Sequence, residues 1–328
     1  METMEKIEQI LKGWYIEGDE FPVKPFGKYI NVIIIRRTQS ETVFRTDEGL
    51  SIEIVKAGYI DNNEISRVSI TKRKIISSER RNGREFLTQN NLKEDTCIIN
   101  QNMCGKCMDC TVYGFAAGEK NSESSGALKS RVITEEAFSI LPYEEITDVR
   151  TFNALSELGT MNELTQKKKN ETGKKFEMRQ SLGETEYVKP EVDFIDIETF
   201  KDLRLPEIIY VMGNILRTKR YGAITTRMGK IKNDIVAVVV SDCEIFSTLE
   251  LTKMVWDKLE NKKHILDENI VVPKMIESIE ELSEEQFGNL KLIKNEELKV
   301  LINEIKKLYT EKTDELVKLF KGVKSIFD

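Results

Sequence analysis

Histidine is almost missing from this chain: His264 is the one imidazole in 328 residues. Zinc hydrolases and Ser/His/Asp or Cys/His enzymes depend on placed imidazoles. His264 stands in Glu-Asn-Lys-Lys-His-Ile-Leu, where it reads as a surface or capping residue just past a helix end. Long apolar runs are missing too. Apolar runs such as residues 32–35 and 235–240 fall far short of the ~20 residues that span a bilayer. The opening Met-Glu-Thr-Met-Glu-Lys has neither the basic nor the apolar region of a secretory signal. A cytoplasmic protein with no membrane partner is expected. There is no Gly-x₄-Gly-Lys-Ser/Thr phosphate loop, no repeat at a solenoid period, and no carboxylate pair that stands out among 56 acids.

What is present is a globular composition, 40% hydrophobic and 32% charged, with roughly two domains' worth of chain. The net charge of -6 at first argues against nucleic acid, but its distribution argues for it. Residues 67–84 and 204–232 each carry seven Lys/Arg against one acid, and residues 166–180 carry six against two. Basic windows this concentrated in an acidic chain form a local electrostatic footprint if they converge; separately they are solvated surface charge.

Periodicity gives a coarse element order. Residues 4–11 form a short helix ended by Gly13. Residues 28–38 hold the β-branched run of a core strand. Strands are expected over 51–59 and 67–76, joined by Asp61-Asn62-Asn63, and extended chain over 131–141. Residues 80–126 read as an inserted module, and the polar stretch 156–191 as a hairpin-bearing insertion. A helix begins at Pro206 and runs to Gly222, and 235–240 is a buried strand. From about Ser247 the chain is helical. Leu298, Leu301, Ile305, Leu308, Leu316, Leu319 and Val323 make an apolar stripe that packs on a core or, as the rival reading, meets a partner.

The sharpest chemical signal is Cys97, Cys104, Cys107 and Cys110, the last three within Cys-Gly-Lys-Cys-Met-Asp-Cys. Dense cysteines in a reducing compartment favour a metal over disulfides. Cys-x-x-Cys turns two thiolates toward one ion, and Gly105 lets that knuckle bend. Four thiolates complete the closed tetrahedron of structural Zn²⁺, which would stabilise a module with little core of its own. A bacterial iron–sulfur spacing fails because Gly114 stands where a fourth cysteine is needed. A thioredoxin-like pair does not account for the third cysteine, and the deaminase signature is missing. A three-thiolate site without Cys97 stays open. Cys243 is expected to be an inert buried thiol.

The second signal is the stretch 214–233, which mixes Arg217, Lys219, Arg220, Arg227 and Lys230 with Thr225, Thr226, Gly222 and Gly229. Cations neutralise phosphates, hydroxyls position them and glycines allow close approach. Tyr221 is placed to stack a base. Arg131, after a loop of turn formers, is a further cation for a phosphate, as is Lys168 within Lys167-Lys168-Lys169 by charge alone.

Together, residues 97–118, Phe-Asn-Ala-Leu-Ser-Glu-Leu-Gly-Thr-Met at 152–161, and residues 214–240 resemble the RNA-binding backbone subunit of the type I-D CRISPR effector complex, the seven-type Cas protein of that subtype. The likeness covers roughly residues 80–260. It implies an α+β fold with an RRM-like, ferredoxin-like core over 1–80, 127–150 and 196–250. It further implies a zinc-binding insertion at 81–126, a lid or thumb insertion at 151–195 and a helical C-terminal region at 251–328. It carries RNA contact to Arg217, Lys219, Arg220 and Arg227, and places Met161 at the entry to the thumb.

The resemblance also implies a role. Copies would polymerise along a CRISPR guide RNA, grip its backbone and leave its bases free to pair with a target DNA strand. Other subunits of a type I-D complex, large and five-type, would be partners, and no catalysis is expected of the chain. Two rivals stand beside this reading: a metal-dependent ribonuclease acting on target RNA, and a zinc-stapled protein-interaction module that binds no nucleic acid.

Overall fold

The computed structural model describes residues 2–45, 49–116, 127–153, 162–166, 176–180 and 182–327. For 151–153, 162–166, 176–180 and 182–183 only the backbone is described. Helix α1 (Glu2–Leu11) leads into strands β1 (Tyr29–Thr38), β2 (Ile52–Lys56) and β3 (Glu64–Ile70), then helices α2 (Lys72–Gln89) and α3 (Met108–Tyr113). Next come β4 (Val132–Thr134), β5 (Ala137–Ser139), α4 (Tyr143–Ile146), β6 (Thr147–Asn153), β7 (Asn162–Gln166), β8 (Phe176–Gln180), β9 (Leu182–Val188) and β10 (Asp193–Lys201). The chain ends with α5 (Leu205–Arg217), β11 (Ile231–Ser241), α6 (Thr248–Lys258), α7 (Glu268–Glu284), β12 (Leu290–Ile293), α8 (Asn295–Thr310) and α9 (Thr313–Lys321).

The main sheet runs β12-β11-β1-β10-β5-β3-β2, with β4 also on β10. Its pairings are antiparallel throughout. The central strand β1 is buried on both faces, and alternation divides it. Ile30, Val32 and Ile34 join a core with α2, α5, α8 and α9, while Ile33 and Ile35 join one with α6 and α7. The result is three layers, helices on both faces of one sheet. Strands β6 and β9 pair, as do β7 and β8, so one antiparallel pair is nested within the other along the chain.

Several expectations are revised. The strand expected over 67–76 stops at Ile70, and α2 follows from Lys72. Its buried face carries Ser78, Glu79, Gly83 and Arg84 beside Ile75, Phe86 and Leu87, so polar residues break the apolar period that would announce a helix. Helix α2 also runs through residue 81, where the zinc-binding insertion was expected to begin. Helix α5 starts as expected at Leu205–Pro206 but ends at Arg217, ahead of Gly222. The helical tail is interrupted by β12, which adds an edge to the sheet beside β11. The apolar stripe of α8 and α9 packs on the core: Leu298, Leu301, Ile305, Leu308 and Leu316 are buried, and Leu319 and Val323 are partly buried against the same cluster. Cys243 is only half-buried, its thiol donating to the Phe287 carbonyl.

Candidate metal centre and nucleic-acid interface

Cys97 arrives on the chain after α2, Cys104 and Cys107 form the knuckle, and Cys110 sits in the first turn of α3. Gly105 takes the turn at φ +73°, a conformation open to glycine. The four sulfurs converge with Sγ–Sγ separations of 4.0 Å (97–107), 3.7 Å (97–110), 3.9 Å (104–110) and 3.5 Å (107–110). A tetrahedron built on Zn–S bonds of about 2.3 Å has edges of about 3.8 Å, so the donor set fits such an ion, and the spacing is far too long for disulfides. Backbone amides of Cys104 and Cys107 donate to the sulfurs of Cys97 and Cys104 at 3.4 and 3.3 Å.

The local core consists of Cys97, Met103, Cys107 and Cys110, so the sulfurs are most of what the module packs around. Hydrogen bonds from the other three cysteines hold the Cys97 thiol far below its ordinary range. Hydrogen bonds with Cys104, Cys110 and Cys97, aided by burial, push Cys107 well up. A bound cation is what lets all four ionise together. Among the described residues this is the one cluster of at least three Cys, His, Asp or Glu side chains placed to hold a metal ion.

The basic stretch after α5 folds into a pinned loop. Tyr221 N–H donates to the Gly229 carbonyl, Ile231 N–H to Lys219, Ala223 N–H to Val43 and Gly229 N–H to Glu41. Gly222, at φ +86°, passes so close to Val43 that a Cβ would lie 2.5 Å from its carbonyl oxygen. The peg of the loop is Tyr221, which is fully buried. Its hydroxyl donates to Glu79 Oε1 (2.8 Å) and accepts from Arg36 Nη1 (3.0 Å) and Asn233 Nδ2 (2.7 Å).

Around it, Arg36 also donates to Asp196 (2.6 Å), Glu79 (3.0 Å) and Glu198 (2.5 Å), all fully buried. Burial, with Glu79 and Asp196 adding to it against the pull of Arg36, raises Glu198 well above the carboxylate range. Tyr221 therefore cannot stack a base. Its ring faces the Arg36 guanidinium at 5.2 Å inside the protein. The aromatic residue in a basic stretch is the anchor that presents the cations.

Those cations differ in their freedom. Lys219, Arg227 and Lys230 are exposed. Arg220 is exposed as well, with Nη1 bracing the loop through the carbonyls of Thr225 (2.6 Å) and Met228 (2.9 Å). Arg217 is half-buried, its guanidinium lying over the rings of Phe86 (5.1 Å) and Tyr309 (5.4 Å). Partial desolvation of the exposed Lys219 by the surrounding chain lowers its pKa; Asp234 opposes the shift, while Lys306 and Lys232 add to it.

Arg131 is corrected. It forms a bidentate pair with the buried Glu207 and donates also to the carbonyls of Thr111 and Asp202. That leaves nothing for a phosphate. Glu207, which burial would raise, is instead held below its ordinary range by Arg131 and Arg204. The first basic window is also partly internal. Arg67 donates to the carbonyls of Ala57, Ser139 and Ile140, while Arg80 and Arg84 pair with Asp109. Sequence reasoning missed this structural use because paired and free arginines look alike in a charge count. Met161 and Lys168, with Lys167 and Lys169, lie outside the described residues.

The sequence pattern of a family described as Csc2 Crispr matches residues 18–318. No curated protein matches. The fold is similar to the crystal structure of Thermofilum pendens Csc2, with TM-score 0.56 and 17% identity over 96% of this chain and 97% of that one. A chain described as a CRISPR RNA-guided surveillance complex aligns with TM-score 0.49 and 12% identity over 87% of this chain and 99% of that one. No described helix is long and apolar enough to cross a membrane.

Proposed function

Because the chain belongs to the Csc2 CRISPR family, we propose that it is a non-enzymatic RNA-binding backbone subunit of a type I-D CRISPR effector complex. In this reading it grips the sugar–phosphate backbone of the guide and leaves the bases free to pair with target DNA. The observation that carries the reading is the pinned loop 218–230. A buried tyrosine and a glycine turn fix the backbone, and Lys219, Arg220, Arg227 and Lys230 project from it. Such an array neutralises phosphates without reading base edges. A rigid scaffold also keeps the ordering cost of binding low.

The ferredoxin-like reading of the core is supported by strand order. Following β1–α2–β5–β10–α5–β11 gives the spatial order β11-β1-β10-β5, all antiparallel. In RRM domains single-stranded bases stack on the sheet face opposite the helices. Here α6 and α7 cover that face, which moves RNA contact to the loops at the sheet's rim. The metal held by the four cysteines is assigned as structural Zn²⁺ on the sulfur-only donor set and the tetrahedral spacing. When bound it supplies folding energy and no open coordination position. Polymerisation along RNA, and contacts with large and five-type subunits, follow from the family reading.

The test is stoichiometry. Purified protein is mixed with unstructured single-stranded RNAs of increasing length and weighed by mass photometry. A ladder of complexes whose copy number rises in steps with RNA length supports the reading. One copy per RNA at every length, or no complex, contradicts it.

A further inference from the structure

Cys97 is the ligand most distant in sequence from the other three, and a three-thiolate site without it was one reading of the spacing. In the fold it is held by Arg84 of α2. Arg84 Nη2 donates both to the Cys97 carbonyl and to its Sγ, the latter at 3.5 Å. Its Nη1 donates to Asp109 Oδ2 at 2.8 Å. Asp109 lies between Cys107 and Cys110, and its carboxylate is fully buried and also clamped by Arg80, which bonds both oxygens at 3.0 and 2.9 Å. One guanidinium thus spans the two halves of the cysteine set. It holds Cys97 through one nitrogen and the knuckle–α3 segment through the other, while α2 fixes it against the main core. Arg84 is itself buried, at 8% exposure.

We infer that Arg84 is a positioning residue of the metal centre, which brings Cys97 in as the fourth ligand and closes the site. The inference rests on the reading of the four cysteines as a metal site. Two arguments support it. Four thiolates around a divalent ion leave a net charge of 2−, and burying such charge is costly without a fixed counter-charge. A guanidinium donating to sulfur meets that need at short range, and planar forked donors suit one group that must bond a carbonyl, a sulfur and a carboxylate together. Partners that orient metal ligands are worth roughly 10–100-fold in metal affinity.

The experiment compares wild type with Arg84→Met, Arg84→Lys, Arg80→Met and Cys97→Ser in the full chain. Zn²⁺ affinity is measured by chelator competition, and Co²⁺ substitution is followed by absorption spectroscopy. Arg84→Met is expected to weaken Zn²⁺ by roughly 10–100-fold and to give a Co²⁺ spectrum resembling that of Cys97→Ser, with thiolate-to-cobalt intensity down by about a quarter, one thiolate in four. Arg80→Met shares the contact with Asp109 but touches no sulfur, so it should keep the wild-type spectrum. Arg84→Lys retains charge without the fork and should fall between. If Arg84→Met does not fold, Arg84→Lys decides.

Wild-type affinity and spectrum in the folded Arg84 variants would overturn the positioning role. An equal loss in Arg80→Met would do the same, because it would trace the effect to the Asp109 clamp. Failure of the wild type to give any thiolate-to-cobalt band would instead overturn the metal reading itself.

Discussion

Tyr221→Phe separates an anchoring tyrosine from a base-stacking one. The substitution keeps the ring and deletes a hydroxyl with three partners, Glu79, Arg36 and Asn233. None of the three is left without other bonds. Arg36 Nη1 still donates to Glu79 Oε1 and Asn233 Oδ1. Asn233 Nδ2 still reaches the carbonyls of Ile215 and Thr218 at 2.8 and 3.1 Å. The cost is therefore that of weakened buried hydrogen bonds, about 1–2 kcal/mol, rather than the 3–5 kcal/mol of an orphaned buried charge. Urea unfolding followed by the fluorescence of Trp14 and Trp256 reads it as a lowered midpoint at unchanged slope. RNA affinity should hold, since the ring still pegs the loop. Unchanged stability together with RNA binding lost in Tyr221→Ala by about 1–3 kcal/mol, the value of a stacked base, would refute the anchoring argument.

Gly222→Ala should destabilise the protein by about 1–3 kcal/mol, because alanine is strained at positive φ and its Cβ meets the Val43 carbonyl; a lowered Tm checks it. Glu198→Gln tests the buried cluster through pH. The raised pKa of Glu198 favours the folded state fully below the ordinary Glu value, and that contribution is lost as pH rises toward the folded pKa. The variant should therefore gain on wild type by up to about 1.4 kcal/mol per pH unit through that window and run parallel to it at lower pH, as measured by unfolding at stepped pH. Arg131→Met should lower stability by about 1.5–3 kcal/mol, the value of hydrogen bonds to a charged group, because Glu207 loses its bidentate partner but keeps the Arg204 side chain and backbone amide, and it should leave the salt dependence of RNA binding unchanged.

Local signals were legible where one force decides the outcome. The β-branched run of β1, the Pro206 start of α5 and the spacing of the cysteines each reflect a single constraint, and the structure has two of them as elements and the third as a sulfur tetrahedron. Helix α2 was not legible, because its inward face is built from Glu79, Gly83 and Arg84, whose neighbours come from β1, α5, Cys97 and α3. Strand β12 is four residues long and exists through its pairing with β11. The roles of Tyr221 and Arg131 were misread for a related reason. Whether an aromatic or a cation faces solvent depends on carboxylates more than 70 residues away, Glu79 for one and Glu207 for the other, and pattern in a single stretch does not reveal them.

The central claim is that cations on the pinned loop contact an RNA backbone without reading sequence. Its most direct test is the salt dependence of binding to two unrelated unstructured single-stranded RNAs, for wild type and for Arg227→Ala/Lys230→Ala. Each lost phosphate contact on a single strand should flatten the log–log slope by about 0.7, so the double variant should lose about 1.4, equally on both RNAs. An unchanged slope, or a loss confined to one of the two sequences, would contradict the account.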